Sequence, residues 1–261
     1  MSTESDSYFV DETLAGRTAL ITGGGGGMGK AMIDAFLQQG CTIIVAQRRE
    51  IVTRYRDVHF ISCDLGDRAS IQSLIEDATK INGGVDILIN NAATNFNADL
   101  RSVDLDAWDR LLQVNLTAPL QLAAGLLGGM KEKKWGRVIN ISSISAYDNT
   151  PFNMLYAATK SALQSFTRAW ARQMASSGVT VNAVTPGFTE TPFTEALSSH
   201  ASREAITAFE AYERVFRTYV PTRRSVLPAE IASAVLFLCS KYSGSITGDV
   251  INVSGGQFMT A

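Results

Sequence analysis

The chain is poor in the residues that build metal centres and disulfide frameworks. It has three cysteines, Cys41, Cys63 and Cys239, far apart in 261 residues, and two histidines, His59 and His200. Metal and disulfide sites need closer clusters, so three reduced, mostly buried thiols and no metal are expected. Proline is scarce at six residues, and there is no low-complexity segment, long linker or internal repeat. Charge of one sign is also lacking. Lys and Arg number 23 against 25 Asp and Glu, a formal net charge of −2, which gives no electrostatic footprint for nucleic acid. No apolar run approaches the roughly 20 residues of a membrane span. Residues 1–13 are polar and acidic, unlike a presequence, and read as a loose extension before a single domain at 14–261. With 46% hydrophobic and 18% charged residues, an ordinary cytoplasmic globular protein is expected.

What is present is alternation. Short apolar runs at 18–22, 42–46, 58–63, 87–90, 137–141, 180–184 and 250–253 alternate with helical patterns at 30–39, 71–80, 106–131, 155–175 and 229–240. Several runs are near-continuous Val, Ile and Leu, which suits strands covered on both faces. The order predicts an α/β fold, a Rossmann-type doubly wound parallel sheet of seven strands. Only ten residues separate Gln47 from Val58, room for a short crossover helix. Between Gly187 and Pro228 lie forty residues without a strand, expected to form a substrate lid over about 188–227. Helical spacing at 204–217 places a helix within it.

The run Thr22-Gly23-Gly24-Gly25-Gly26-Gly27-Met28-Gly29 joins the first strand to the first helix. Glycines there permit a tight turn and close backbone approach to a pyrophosphate, which the helix N-terminus would face. Five consecutive glycines cost backbone entropy and are hard to justify as packing. At the end of the second strand, where NAD sites carry an acidic residue, the chain has Gln47-Arg48-Arg49. A missing carboxylate followed by arginines favours NADP(H), because a guanidinium can meet the ribose 2′-phosphate.

Tyr156 and Lys160 stand four residues apart, on one face of a helix. An ammonium beside a phenol stabilises the phenolate and lowers its pKa, so that the tyrosine can exchange a proton with a carbonyl or alcohol oxygen. Ser143, thirteen residues earlier at a strand end, is placed to hold the same oxygen. Strand alternation turns its neighbour Ser142 to the other side.

Together these residues resemble the short-chain dehydrogenase/reductase family, in its branch of roughly 250-residue single-domain enzymes. The resemblance runs from about Leu14 to Phe258. Its motifs stand in order: Thr22, Gly23, Gly27 and Gly29 in the turn; Asp64 with Leu65 after the third strand; Asn90-Asn91-Ala92-Ala93 after the fourth; Asn115; Ser143; Tyr156 and Lys160; and Pro186-Gly187 with Thr189 and Thr191 after the sixth. Ala93, Arg223 and Val226 stand where the family commonly has glycine, and Ser254 where it more usually has aspartate.

The resemblance implies that Asp64 holds the adenine amino group, and that Thr189 and Thr191 meet the nicotinamide carboxamide and the phosphates. It implies that Lys160 binds the ribose hydroxyls, and that Asn115 kinks its helix and positions a water. It also implies a homotetramer or dimer built through the helices at 106–131 and 155–175. Leu111, Leu122, Leu126, Leu163, Phe166 and Trp170 are expected to supply the apolar surplus for it. The implied activity is reversible reduction of a ketone to a secondary alcohol. Candidate pocket residues are Thr94, Asn95, Phe96, Ser145, Tyr147, Phe152, Phe188 and Phe193, which suit a hydrophobic or cyclic carbonyl. A 3-oxoacyl-thioester substrate is the alternative, with Lys131, Lys133 and Lys134 as a docking patch. An NADP-sensing regulator on the same scaffold would be expected to lose Tyr156 or Lys160. Enoyl reductases of the family separate tyrosine from lysine by six residues, where here three intervene.

Overall fold

The computed structural model describes residues 14–50, 57–96, 98–147, 153–189 and 218–259. Seven parallel strands form one sheet, in the order β3-β2-β1-β4-β5-β6-β7. They are β1 (Thr18–Thr22), β2 (Thr42–Gln47), β3 (Val58–Ser62), β4 (Ile87–Asn90), β5 (Gly136–Ile141), β6 (Val179–Pro186) and β7 (Val250–Val253). All seven lie where the apolar runs predict them. β1, β4, β5 and β6 are buried at every residue, as a sheet covered on both faces requires.

One face carries α1 (Gly27–Gln38) and the C-terminal helix α6 (Pro228–Cys239). The other carries α2 (Arg68–Ala78), α3 (Leu105–Leu112), α4 (Ala118–Glu132) and α5 (Met154–Met174). Phe36, Ile43, Ile87, Ile231 and Leu238 pack in the first layer, and Ile71, Leu74, Leu88, Leu122 and Val138 in the second. The strand order reverses between β1 and β4, so their C-terminal ends diverge and leave a crevice, the usual ligand position in such sheets.

Three expectations need correction. The single helix at 106–131 is two α-helices joined by a π-helical turn at Gln113–Thr117. Taken whole, Leu105–Glu132 is 28 residues long with a mean hydropathy of 1.3, long and apolar enough to cross a membrane by length and composition. Its Leu122, Leu126 and Met130 are buried against the sheet and Leu111 is fully buried, which marks it as a core helix. Finally, Leu111, Leu122, Leu126, Leu163 and Trp170 are buried within one chain, and Phe166 packs against the same core. The first five are therefore core residues of the chain itself, and Phe166 alone keeps part of its ring outside that core.

The three cysteines are free and buried. The N-terminal extension, most of the short crossover after Gln47, and the helix expected at 204–217 lie outside the described residues. The base of the expected lid is closed: Thr189 bridges to Val226 in parallel, and Thr222 N donates to Gly255 O at 3.1 Å. Arg223, at a position where the family commonly has glycine, adopts a left-handed φ of 54°.

Candidate active site

The glycine run does two jobs. Its last members already belong to α1, which starts at Gly27 with Gly26 as N-cap. No side chain caps this helix and no acidic residue lies in its first turn, so its free amides are offered to the crevice. A side chain at Gly29 would collide with the Gly23 carbonyl, so the tight turn requires glycine there. Thr22 fastens the turn to the end of β4. Its Oγ1 accepts from Asn91 N and Ala92 N, each at 3.0 Å, while Asn91 Nδ2 donates to Thr22 O at 2.9 Å and Gly23 O at 3.1 Å.

A cavity of about 190 Å³ runs from Gly27, Met28 and Gly29 to Tyr156 and Lys160. A second, of about 330 Å³, shares Gly23, Ala92 and Ala93 with it and reaches Gln47, Arg48, Asp64 and Leu65. A third, of about 550 Å³ against β7, holds neither the glycine turn nor Tyr156, and the chemistry belongs to the first two.

Gln47 braces the turn: its Oε1 accepts from Gly25 N at 2.7 Å and its Nε2 donates to Arg49 O at 2.5 Å. Arg48 lines the second cavity, whereas Arg49 is exposed outside its lining. Asp64 Oδ1 accepts from Gly66 N at 2.8 Å, and both its oxygens accept from Arg110 Nη2, at 3.1 and 3.2 Å. The Gly66 amide first, then the Arg110 guanidinium, hold the Asp64 carboxyl below its ordinary range. Arg110 was not foreseen. It lies 46 residues from Asp64, and no local pattern joins them.

Ser143 stands at the end of β5 and caps a short 3₁₀ turn at Ile144–Ala146, accepting from Ser145 N at 3.1 Å. Tyr156 hydrogen-bonds Ser143. Ser142 faces the other way. Its hydroxyl accepts from Gln164 Nε2 at 3.0 Å and donates to Lys160 O at 3.4 Å, so it is spent on the helix.

Lys160, 2% exposed, donates to Ile141 O at 2.7 Å and lies 5.5 Å from the Tyr156 ring centre. Burial pushes its pKa down to about 8. Burial pushes Tyr156 up to about 12, and the Ser143 hydrogen bond opposes that rise. The expected lowering of the phenol by Lys160 is therefore not found in the chain itself. The ammonium is committed to a strand carbonyl, and desolvation of the phenolate dominates.

Asn115 sits in the π-helical turn and is 1% exposed. Its Oδ1 accepts from Thr94 N and its Nδ2 donates to Thr94 O, both at 2.9 Å, with a further bond to Thr159 Oγ1 at 3.2 Å. The helix is interrupted at this residue by the π-helical turn. The side chain is fully used in fixing the segment after β4, which makes Asn115 a positioning residue.

Pro186 ends β6, Gly187 N donates to Val253 O at 2.9 Å, and buried Thr189 donates to Gly187 O at 3.1 Å. Among pocket candidates, Asn95 and Ser145 are joined through Asn153, which the sequence reading missed although it stands three residues before Tyr156. Tyr147 stacks on Phe258 at 4.0 Å between ring centres, so the C-terminal segment also walls this region. Phe188 N donates to Gln257 Oε1 at 3.4 Å. Thr191, Phe152 and Phe193 lie outside the described residues.

Comparison with known proteins agrees with this geometry. The short chain dehydrogenase family model matches residues 17–202. The 3-oxoacyl-acyl-carrier-protein reductase FabG of Aquifex aeolicus is 33% identical over 255 residues, covering 94% of this chain and 98% of that protein. Its namesake from Vibrio cholerae is 36% identical over 252 residues, covering 94% and 99%. The structure of L-sorbose reductase from Gluconobacter frateurii, complexed with NADPH and L-sorbose, superposes with a TM-score of 0.88 at 26% identity, covering 97% of this chain and all of that one. With the parallel sheet, the uncapped glycine turn and the Ser143–Tyr156–Lys160 cluster, these matches show that the chain is an oxidoreductase of the short-chain dehydrogenase family.

Proposed function

We propose that this protein reversibly reduces a ketone to a secondary alcohol with NADP(H). The observation that carries the reading is one cavity lined both by the uncapped start of α1 and by Tyr156 and Lys160. The residues fit the cofactor. The first-turn amides suit a pyrophosphate, Asp64 and Leu65 line the adenosine end, and Arg48 stands there without an acidic residue at position 47. When bound, NADPH supplies the hydride. Ser143 holds the carbonyl oxygen, and Tyr156 gives that oxygen its phenolic proton as the C–H bond forms; in reverse, the phenolate takes the alcohol proton. Lys160, held on Ile141 O 5.5 Å from the Tyr156 ring centre, would offer its remaining N–H groups to the ribose hydroxyls.

The alternative is a 3-oxoacyl thioester, favoured by the two FabG relatives. Its expected docking patch is weakened, because Lys133 is paired with Asp86 at the N-terminal edge of the sheet, the end opposite the site. A sensing role without catalysis predicts loss of Tyr156 or Lys160, and both are in place. We further read the protein as a cytoplasmic homotetramer, with a dimer as the smaller assembly. Exposed Leu120, Ala124 and Gly128 form one face of α4, in keeping with that reading.

The test is NADPH consumption against ketones, 3-oxoacyl thioesters and quinones, with NADH in parallel. Turnover of ketones with NADPH is expected. A clear preference for NADH would refute the cofactor assignment.

A further inference from the structure

Proton transfer asks nothing of Arg110, yet this residue is fixed at the wall of the second cavity. It stands on α3, and its Nη2 donates to both oxygens of Asp64, 46 positions away, at 3.1 and 3.2 Å. The pair is open to solvent, with 50% of the Arg110 side chain and 41% of the Asp64 side chain exposed. An ion pair in that setting contributes little to folding. Both partners line the cavity, together with Arg48, Leu65 and Val114.

The local chain makes room for the guanidinium. Gly66 does not take a left-handed φ, so its backbone does not call for glycine. A Cβ there would meet the end of the Arg110 side chain. The segment itself is held from two sides. Asp64 N donates to Ser70 Oγ at 3.1 Å, and Gln113 Nε2 donates to Leu65 O at 3.4 Å. A carboxylate oxygen has two acceptor positions. Asp64 Oδ1 fills both, accepting from Gly66 N at 2.8 Å and from Arg110. Among the described residues Oδ2 accepts from Arg110 alone, which leaves one position open. Asp64 is thus an oriented acceptor at the adenosine end of the crevice.

We propose that Arg110 is a positioning residue for the cofactor: it fixes Asp64 so that Oδ2 takes a hydrogen bond from the exocyclic amino group of adenine, and the site thereby selects a 6-amino purine over a 6-oxo purine. This rests on the NADP(H) reading and on Asp64 as the adenine acceptor, and it adds the residue that orients that acceptor. A 6-oxo base presents an acceptor where adenine presents a donor, so two acceptors would face each other. A carboxylate without Arg110 can turn to water and lose the distinction. A base that fills the cavity displaces water from the pair, which strengthens the interaction there.

The test measures dissociation constants of NADPH and of its reduced hypoxanthine analogue by fluorescence titration of the full chain, with no substrate present. Wild type is expected to bind NADPH more tightly by roughly tenfold or more. In Arg110→Leu the ratio between the two nucleotides falls toward one. Gly66→Ala, which displaces the guanidinium and keeps its charge, is expected to give the same fall, and the double variant to fall no further. A merely structural role would weaken both nucleotides together and leave the ratio intact. A ratio kept in Arg110→Leu and lost in Asp64→Ala overturns the role of Arg110 while Asp64 stands as the adenine acceptor. A ratio near one in wild type, or one kept in Asp64→Ala, overturns the inference together with that assignment of Asp64. No saturable binding of either nucleotide overturns the NADP(H) reading.

Discussion

At the residue scale the site is governed by desolvation. Tyr156 is protonated across the working range because burial holds its pKa at about 12, which suits a proton donor to a ketone oxygen. Tyr156→Phe removes that proton and the bond to Ser143. It is expected to lower turnover by about 100- to 10,000-fold while the NADPH dissociation constant, read by fluorescence titration, stays near that of wild type. Lys160 has the opposite shift, from 10.5 to about 8. Between pH 8 and 10.5 the unfolded chain binds a proton at this lysine that the folded chain does not. Lys160 therefore makes stability rise with pH across that window. Tyr156 opposes this only above pH 10, where the unfolded phenol ionises and the folded one does not. Thermal melts from pH 8 to 10 are expected to show the rise in wild type and its loss in Lys160→Met; parallel curves would contradict the buried-ammonium account. The Tyr156–Lys160 spacing and the choice of Ser143 over Ser142 were legible in the sequence, because helix and strand periods fix them. Arg110 and the Asn95–Asn153 bond were not, since each joins residues at least 46 positions apart.

At the element scale two irregular pieces set the site. The first is the turn into α1. Gly29→Ala would push a methyl group onto the Gly23 carbonyl and force the turn open. NADPH affinity is expected to fall by tenfold or more in fluorescence titration, with lower stability in a urea melt. An unchanged affinity would mean that the turn is not the phosphate cradle. The second is the π-helical turn at Gln113–Thr117, which aims Asn115 at Thr94. Asn115→Leu leaves the Thr94 N–H and carbonyl unpaired and is expected to destabilise the fold by about 1–3 kcal/mol in chemical denaturation. It is also expected to lower kcat more than it changes NADPH affinity. A helix across 106–131 could be read from its apolar period. The extra residue that makes a π turn leaves no such trace, because it follows from where Thr94 lies after β4. Gly178 shows the same limit. It takes φ +74° at the entry to β6, with Lys134 O against the place a Cβ would occupy, a constraint set by a loop 44 residues earlier.

At the scale of the whole molecule, the buried positions of α4 and α5 are consumed by the chain's own core, so assembly must use what is left outside. Leu120, at 40% exposure, with Ala124 and Gly128 gives α4 a small-residue face. Sedimentation is expected to show a tetramer or dimer, and Leu120→Arg to shift it toward monomer. A monomer at all concentrations in wild type would overturn the assembly. The sequence by itself determined the seven parallel strands, the place of the glycine turn and the candidates for proton transfer. All of these follow from local periodicity, from backbone rules that act within a few residues, or from spacing within one helix. Only the tertiary structure decided how the titratable groups are tuned and which polar groups stay unpaired. Burial of Tyr156 and Lys160, the clamp of Asn115 on Thr94 and the bond between Asn95 and Asn153 depend on strands and helices brought together from distant parts of the chain, because desolvation and hydrogen-bond satisfaction are properties of the packed molecule.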